Sequence, residues 1–98
     1  METWLRCTIS EGQFSDEYAV SGRTADGTGF SLFAPEEAVD FEESPVGSRS
    51  VEGWLRVDVW EQKGELCLVR LPRQALENGQ YLTVKRDQLQ ARRQPQGA

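Results

Sequence analysis

Residues 51–60 have the sequence Val-Glu-Gly-Trp-Leu-Arg-Val-Asp-Val-Trp, in which apolar and polar positions alternate with a period of two. Successive side chains of a β-strand point to opposite faces of its sheet, so this period predicts a half-buried strand. The inward face would carry Val51, Gly53, Leu55, Val57 and Val59. The opposite face would carry Glu52, Trp54, Arg56, Asp58 and Trp60.

Weaker versions of the same pattern occur on both sides of this segment. They predict five further strands, at residues 4–10, 18–24, 29–33, 65–71 and 80–85. The dipeptides Asp26-Gly27, Lys63-Gly64 and Asn78-Gly79 favour tight turns, because glycine tolerates the positive φ that such turns require. Pro35 and Pro72 are predicted to end strands, since proline cannot donate a hydrogen bond to a sheet. Short helical turns are expected after Pro35 and at residues 87–89.

The segment 40–50 is acidic and then rich in Ser, Pro and Gly, which predicts one long loop. It joins two three-strand meanders. We therefore predict an all-β fold, a small six-stranded barrel, because closing the sheet removes exposed strand edges. Residues 84–89 resemble the strand and turn that close SH3-like barrels. The expected organisation is one domain over residues 1–89 with a flexible C-terminal tail at 90–98.

The composition limits both location and chemistry. A chain of 98 residues with 38% hydrophobic residues can form one core without disulfides. The first residues lack a secretory signal pattern, so a cytoplasmic protein without membrane association is expected. Cys7 and Cys67 lie on predicted inward faces and are expected to be free buried thiols.

No catalytic apparatus is evident, and we expect a protein that is not an enzyme and uses no cofactor or metal. The chain has no histidine, which removes the usual general base and the commonest metal ligand. The glycines of segment 22–29 have phosphate-loop spacing but lack the lysine and the following helix. The carboxylates of segment 36–43 lack the spacing of a calcium loop, and a solvated acidic loop is favoured. If that segment is functional, it would attract a basic partner, with Val39 and Phe41 as apolar anchors.

The leading functional hypothesis is a protein- or peptide-interaction module, with self-association as one form of it. Trp and Arg dominate binding hot spots. The predicted binding residues are Trp54, Arg56 and Trp60, extended by Trp4 and Arg6 if the first and fourth predicted strands are neighbours. The alternative for Trp54 and Trp60 is a second, minor core covered by the long loop, the helical turn or the tail.

A second hypothesis is weak binding of single-stranded nucleic acid, by stacking on aromatic rings beside basic residues. Its candidate residues are Tyr81, Lys85, Arg86, Arg92 and Arg93. The formal charge of −5 disfavours a polyanion partner. The charge is unevenly distributed, with ten acidic and three basic residues in the first half of the chain and six acidic and eight basic residues in the second.

One tripeptide occurs twice, as Trp4-Leu5-Arg6 and Trp54-Leu55-Arg56, each at the start of a predicted meander. The residues that follow match poorly, so chance is favoured over an internal duplication.

Overall fold

The computed structural model describes residues 2–47, 49–77 and 79–92, and within them the fold is all-β. The strands are β1 (Glu2–Glu11), β2 (Glu17–Arg23), β3 (Gly29–Pro35), β4 (Val39–Asp40), β5 (Val51–Lys63), β6 (Leu66–Ala75), β7 (Gly79–Lys85) and β8 (Leu89–Arg92). Single 3-10 turns span Glu36–Ala38 and Arg86–Gln88. All six predicted strands are present, and β4 and β8 are additional. No helix in the described ranges is long and apolar enough to cross a membrane.

The strands form one antiparallel sheet in the order β3-β2-β1-β5-β6-β7, which curls into a half-barrel. The predicted meanders are β1–β3 and β5–β7, and they join side by side through β1 and β5. Two backbone hydrogen bonds link the far ends of the sheet: Ala25 N donates to Thr83 O at 2.9 Å, and Leu76 N donates to Ser31 O at 2.8 Å.

The core occupies the inner side of the curl. Its fully buried side chains come from inward positions of the alternating strands, and the largest are Leu5, Ile9, Val20, Leu32, Leu55, Val69, Leu71 and Val84. Burial of each such side chain contributes roughly 1.5–3 kcal/mol to folding. Val59 departs from its predicted inward placement, since it is 43% exposed.

The two halves of the chain repeat one arrangement. Each half has three strands, a 3-10 turn and a short strand, and the short strand of each half pairs with the first strand of the other. Leu5 lies opposite Leu55 at the centre of the β1–β5 ladder, with Trp4 opposite Arg56 and Arg6 opposite Trp54. The two Trp-Leu-Arg tripeptides therefore occupy equivalent places in the two strands.

Two predicted boundaries were wrong. β6 does not stop at Pro72 but continues to Ala75, with an irregular register between Arg70 and Ala75 that accommodates the missing N–H of proline. The tail was expected to begin at residue 90, but Gln90, Ala91 and Arg92 belong to β8 and pair with β1. Residues 93–98, the rest of the predicted tail, and Asn78 of the predicted turn lie outside the described residues.

Candidate interaction site on strand β5

The predicted aromatic face of β5 is divided into two separate places. Trp54 and Trp60 are six residues apart, which is about 20 Å along a strand. The register of β5 with β6 shifts between Val59 and Glu61, and this irregularity contains Trp60. Trp54 packs against arginines of β1 and β8, whereas Trp60 packs against Tyr81 of β7. The two rings do not form one continuous surface.

Trp54 is half-buried between two guanidinium groups. Arg6, its partner across the β1–β5 ladder, has Cζ 5.5 Å from the ring centre, and Cζ of Arg92 lies 5.4 Å from it. Both distances are within the range of cation–π attraction. Arg92 also forms an ion pair with Asp40 of β4 at 2.9 Å. The side chain of Arg92 thus connects the two short strands over the ring.

Trp4 offers no binding surface, contrary to the prediction. It is 0% exposed, although it alternates with the core residue Leu5 and lies outside the main core cluster. In the sheet it is flanked by Arg56 on β5 and Gln90 on β8. The unpredicted strand β8 therefore lies beside it.

The side chain of Arg56 is only partly available for contact with a partner. Its Nη1 lies 3.4 Å from a carboxylate oxygen of Glu2, and about a third of each side chain is exposed. Arg56 therefore belongs to the covered surface around Trp4, and Arg6 belongs to the open surface around Trp54.

A cleft of about 710 Å³ lies between Trp54 and the loop that follows β4. We call it the Trp54 cleft. Its lining comprises Arg6, Asp40, Phe41, Glu42, Glu43, Arg49, Ser50, Val51, Glu52, Gly53, Trp54 and Arg92. The first half of β5 forms one wall and the acidic loop forms the other.

The wall formed by β5 includes an unpaired strand edge. Residues 51–53 pair with β1 on one side, and among the described residues no strand pairs with them on the other. The strand β4 covers only Trp54 and Leu55 of that side. An open edge presents unpaired backbone N–H and C=O groups. The cleft therefore contains hydrogen-bonding groups of the main chain as well as side chains.

Gly53 explains why β4 ends early. A Cβ atom at this position would lie 2.5 Å from the carbonyl oxygen of Asp40 and 3.3 Å from Cβ of Phe41, so only glycine permits the approach. Phe41 then packs against the core, and its ring meets Tyr18 edge-on with centroids 5.2 Å apart. The chain leaves the edge of β5 at this point and starts the loop.

The loop wall is held by polar contacts. Arg49 pairs with Glu43 at 3.3 Å, and Gly47 N donates to Oε1 of Glu11 at 2.7 Å. Among the described residues, Glu42 and Glu52 have no ion pair. In the described part of the chain, the cleft therefore contains two carboxylates and the guanidinium of Arg6 that belong to no ion pair.

The second aromatic place is an exposed pair on the outer surface of β5 and β7. The rings of Trp60 and Tyr81 meet edge to face, with centroids 5.5 Å apart and an interplanar angle of 85°. Trp60 is 59% and Tyr81 45% exposed. An edge-to-face pair of this kind contributes about 0.5–1.5 kcal/mol beyond burial.

The structure divides the candidate nucleic-acid residues. Tyr81 contacts Trp60, and Lys85 and Arg86 lie at the end of β7 and the start of its 3-10 turn. Arg92 is engaged with Asp40 and Trp54 on the other aromatic place. Arg93 lies outside the described residues.

The two thiols lie away from both aromatic surfaces, in the core. Cys7 and Cys67 are free and buried, as predicted, and burial raises the pKa of the Cys7 thiol to about 12. The described ranges contain no group of three His, Cys, Asp or Glu side chains that could hold a metal.

Comparison with family models, with curated proteins and with solved structures found no match to this chain. The lining residues that the sequence analysis did not propose for binding include Arg49, Glu52 and Gly53. The predicted binding residues Arg6 and Trp54, and the acidic segment with Phe41, are the sequence signals that pointed towards this cleft.

Proposed function

We propose that this protein is a non-catalytic interaction module that binds an extended segment of a partner protein in the Trp54 cleft. The observation that carries the proposal is the open edge of β5 at residues 51–53, which lies beside a half-buried Trp in a cleft of about 710 Å³. The partner segment adds a short strand to this edge.

Strand addition suits the groups that line the cleft. Main-chain hydrogen bonds to an open edge supply affinity, and side-chain contacts on alternate residues supply specificity. Trp54 and Arg6 are residue types that dominate binding hot spots. The volume of the cleft lies within the range of about 300–1,000 Å³ that is typical of binding pockets.

Several features support a role in binding rather than catalysis. The sequence has no histidine, and both thiols are buried and free. The proposal therefore includes no cofactor. Free buried thiols suit a reducing compartment, and we place the protein in the cytoplasm on that basis. The proposal also includes an SH3-like barrel, which residues 84–89 resemble.

Binding of single-stranded nucleic acid is less well supported. Its candidate Arg92 already pairs with Asp40. Within the described ranges, the exposed aromatic pair of Trp60 and Tyr81 has no cation–π contact of the kind made at Trp54. The net charge of −5 also opposes phosphate binding.

The proposal is tested with a displayed library of random heptapeptides, panned against the full chain. Enriched peptides are titrated into 15N-labelled protein. We expect shifts at the amides of Glu52 and Gly53 and at the Trp54 indole, and loss of binding in Trp54→Ala but not in Trp60→Ala. Far-UV circular dichroism checks that both variants fold.

Two results would overturn this function. One is a library that yields no peptide bound better by the native chain than by Trp54→Ala. The other is salt-sensitive binding of a poly-dT oligonucleotide that shifts Tyr81 and Lys85, which would favour the nucleic-acid alternative.

A further inference from the structure

We infer that the partner segment places a basic side chain opposite Glu52. This inference rests on the proposed function and adds the chemistry of the ligand. It comes from the internal repeat. Strand β8 pairs with four residues of β1, whereas the equivalent strand β4 pairs with only two residues of β5.

The pairing of β8 with β1 shows how a strand would pair at the equivalent edge of β5. Strand β8 pairs with β1 over four residues, and its last pair places Arg92 opposite Glu2, although the guanidinium of Arg92 forms its ion pair with Asp40 and not with Glu2. The equivalent of Glu2 in the second half is Glu52, since Leu5 and Leu55 mark the centre of the repeat. An opposite-charge pair across two antiparallel strands is stabilising.

Strand β4 does not extend far enough to pair with residues 51–53 of β5. Strand β4 pairs Val39 with Leu55 and Asp40 with Trp54. Continued in the same register, it would place Glu42 opposite Glu52. Two like charges directly opposite each other destabilise a ladder. The chain instead turns inward over Gly53 and leaves this position empty.

Within the described residues, the carboxylate of Glu52 has no ion-pair partner. In the half that contains β8, the ion-pair partner of Glu2 is Arg56, at 3.4 Å. The equivalent of Arg56 is Arg6, and its guanidinium lies over Trp54 rather than in an ion pair with Glu52. Glu42 lines the same cleft and adds negative charge. Both carboxylates favour a cationic side chain of the ligand.

The repeat also supplies a probe. The hexapeptide Leu-Gln-Ala-Arg-Arg-Gln copies residues 89–94 of this chain, and a matched peptide replaces both arginines by glutamate. Each peptide is titrated at low salt into 15N-labelled full chain. We expect the basic peptide to shift the amides of Glu52 and Gly53 and to bind at least about tenfold more tightly than the acidic one. We also expect its affinity to fall with added salt, because exposed charges are screened.

A charge swap locates the recognised carboxylate. Glu52→Lys should reverse the preference, so that the acidic peptide binds better than the basic one. Glu61→Lys, an exposed acidic residue at the far end of the same strand, should leave the preference unchanged. Circular dichroism confirms the fold of both variants.

The outcomes separate this inference from the proposed function. If library-selected peptides shift Glu52 and Gly53 but are neutral or acidic, or if the preference survives Glu52→Lys, the basic ligand is wrong while strand addition stands. If no peptide of any charge shifts these amides, both proposals fail.

Discussion

Leu5 of β1 lies directly opposite Leu55 of β5, both fully buried, and this pair is the centre of the internal repeat. On one side of the centre β8 covers β1 over four residues, and on the other β4 covers β5 over two. The two halves, which repeat the same order of strands, thus differ in how far the short strand extends along its partner. That difference leaves the edge of β5 open beside Trp54.

Replacement of Leu55 by Ala should cost about 2–5 kcal/mol of stability, because it leaves a cavity at the centre of the sheet. Leu76 is 67% exposed, and Leu76→Ala should change stability by about 0.5 kcal/mol or less. Urea unfolding followed by circular dichroism measures both. Similar losses in the two variants would contradict the placement of the core.

Alanine substitutions of Trp4 and Trp60 should lower the free energy of unfolding by different amounts. Trp4→Ala is expected to cost about 3–5 kcal/mol, since the ring is fully buried. Trp60→Ala should cost about 1 kcal/mol, the value of an exposed edge-to-face pair. Equal destabilisation, measured by chemical denaturation, would show that Trp60 is a core residue.

The turn between β2 and β3 should show an unusually acidic carboxyl. Hydrogen bonds from the side chains of Thr24 and Thr28, and from the backbone N–H of Thr28, lower the pKa of Asp26 from 3.8 to about 2. These bonds stabilise the fold above the unfolded value of 3.8, and the contribution is lost as the pH falls towards 2. An NMR titration of the Asp26 carboxyl should give its midpoint near the lower value, and Thr24→Val should raise it. A midpoint near 3.8 in the native chain would disprove the hydrogen bonds.

Neither thiol should react in the native state. Both cysteines are buried, and the raised pKa of Cys7 keeps its thiol protonated near pH 8. Ellman's reagent should therefore detect no thiol until denaturant is added, and two afterwards. Rapid reaction of one thiol in the native chain would mean that its strand is exposed.

The fold could be predicted from local patterns because its six main strands are long enough to show alternation. Residues 51–60 alone predicted a strand with Leu55 and Val57 inward, and both are buried. The strands β4 and β8 have two and four residues, too few for a period to be visible. Because β8 was not predicted, the start of the tail was placed at residue 90, within this strand.

The site was harder to predict because it depends on relations between distant segments. Trp4 and Trp54 are each followed by Leu-Arg in the sequence, yet one is buried and the other half-buried. The difference comes from how far β8 and β4 extend along their partners, and Gly53 stops β4. The separation of Trp60 from Trp54 depends on a register shift that alternation does not reveal.

Amide hydrogen exchange of residues 52 and 53 tests the open edge most directly. Adjacent residues of an antiparallel strand direct their N–H groups to opposite sides, so one of these two amides faces β1 and the other faces the cleft. The amide on the cleft side should exchange far faster than its neighbour in the free protein, and the basic hexapeptide should slow it without changing the other. Equal, strong protection of both amides before any peptide is added would contradict an open edge at this position.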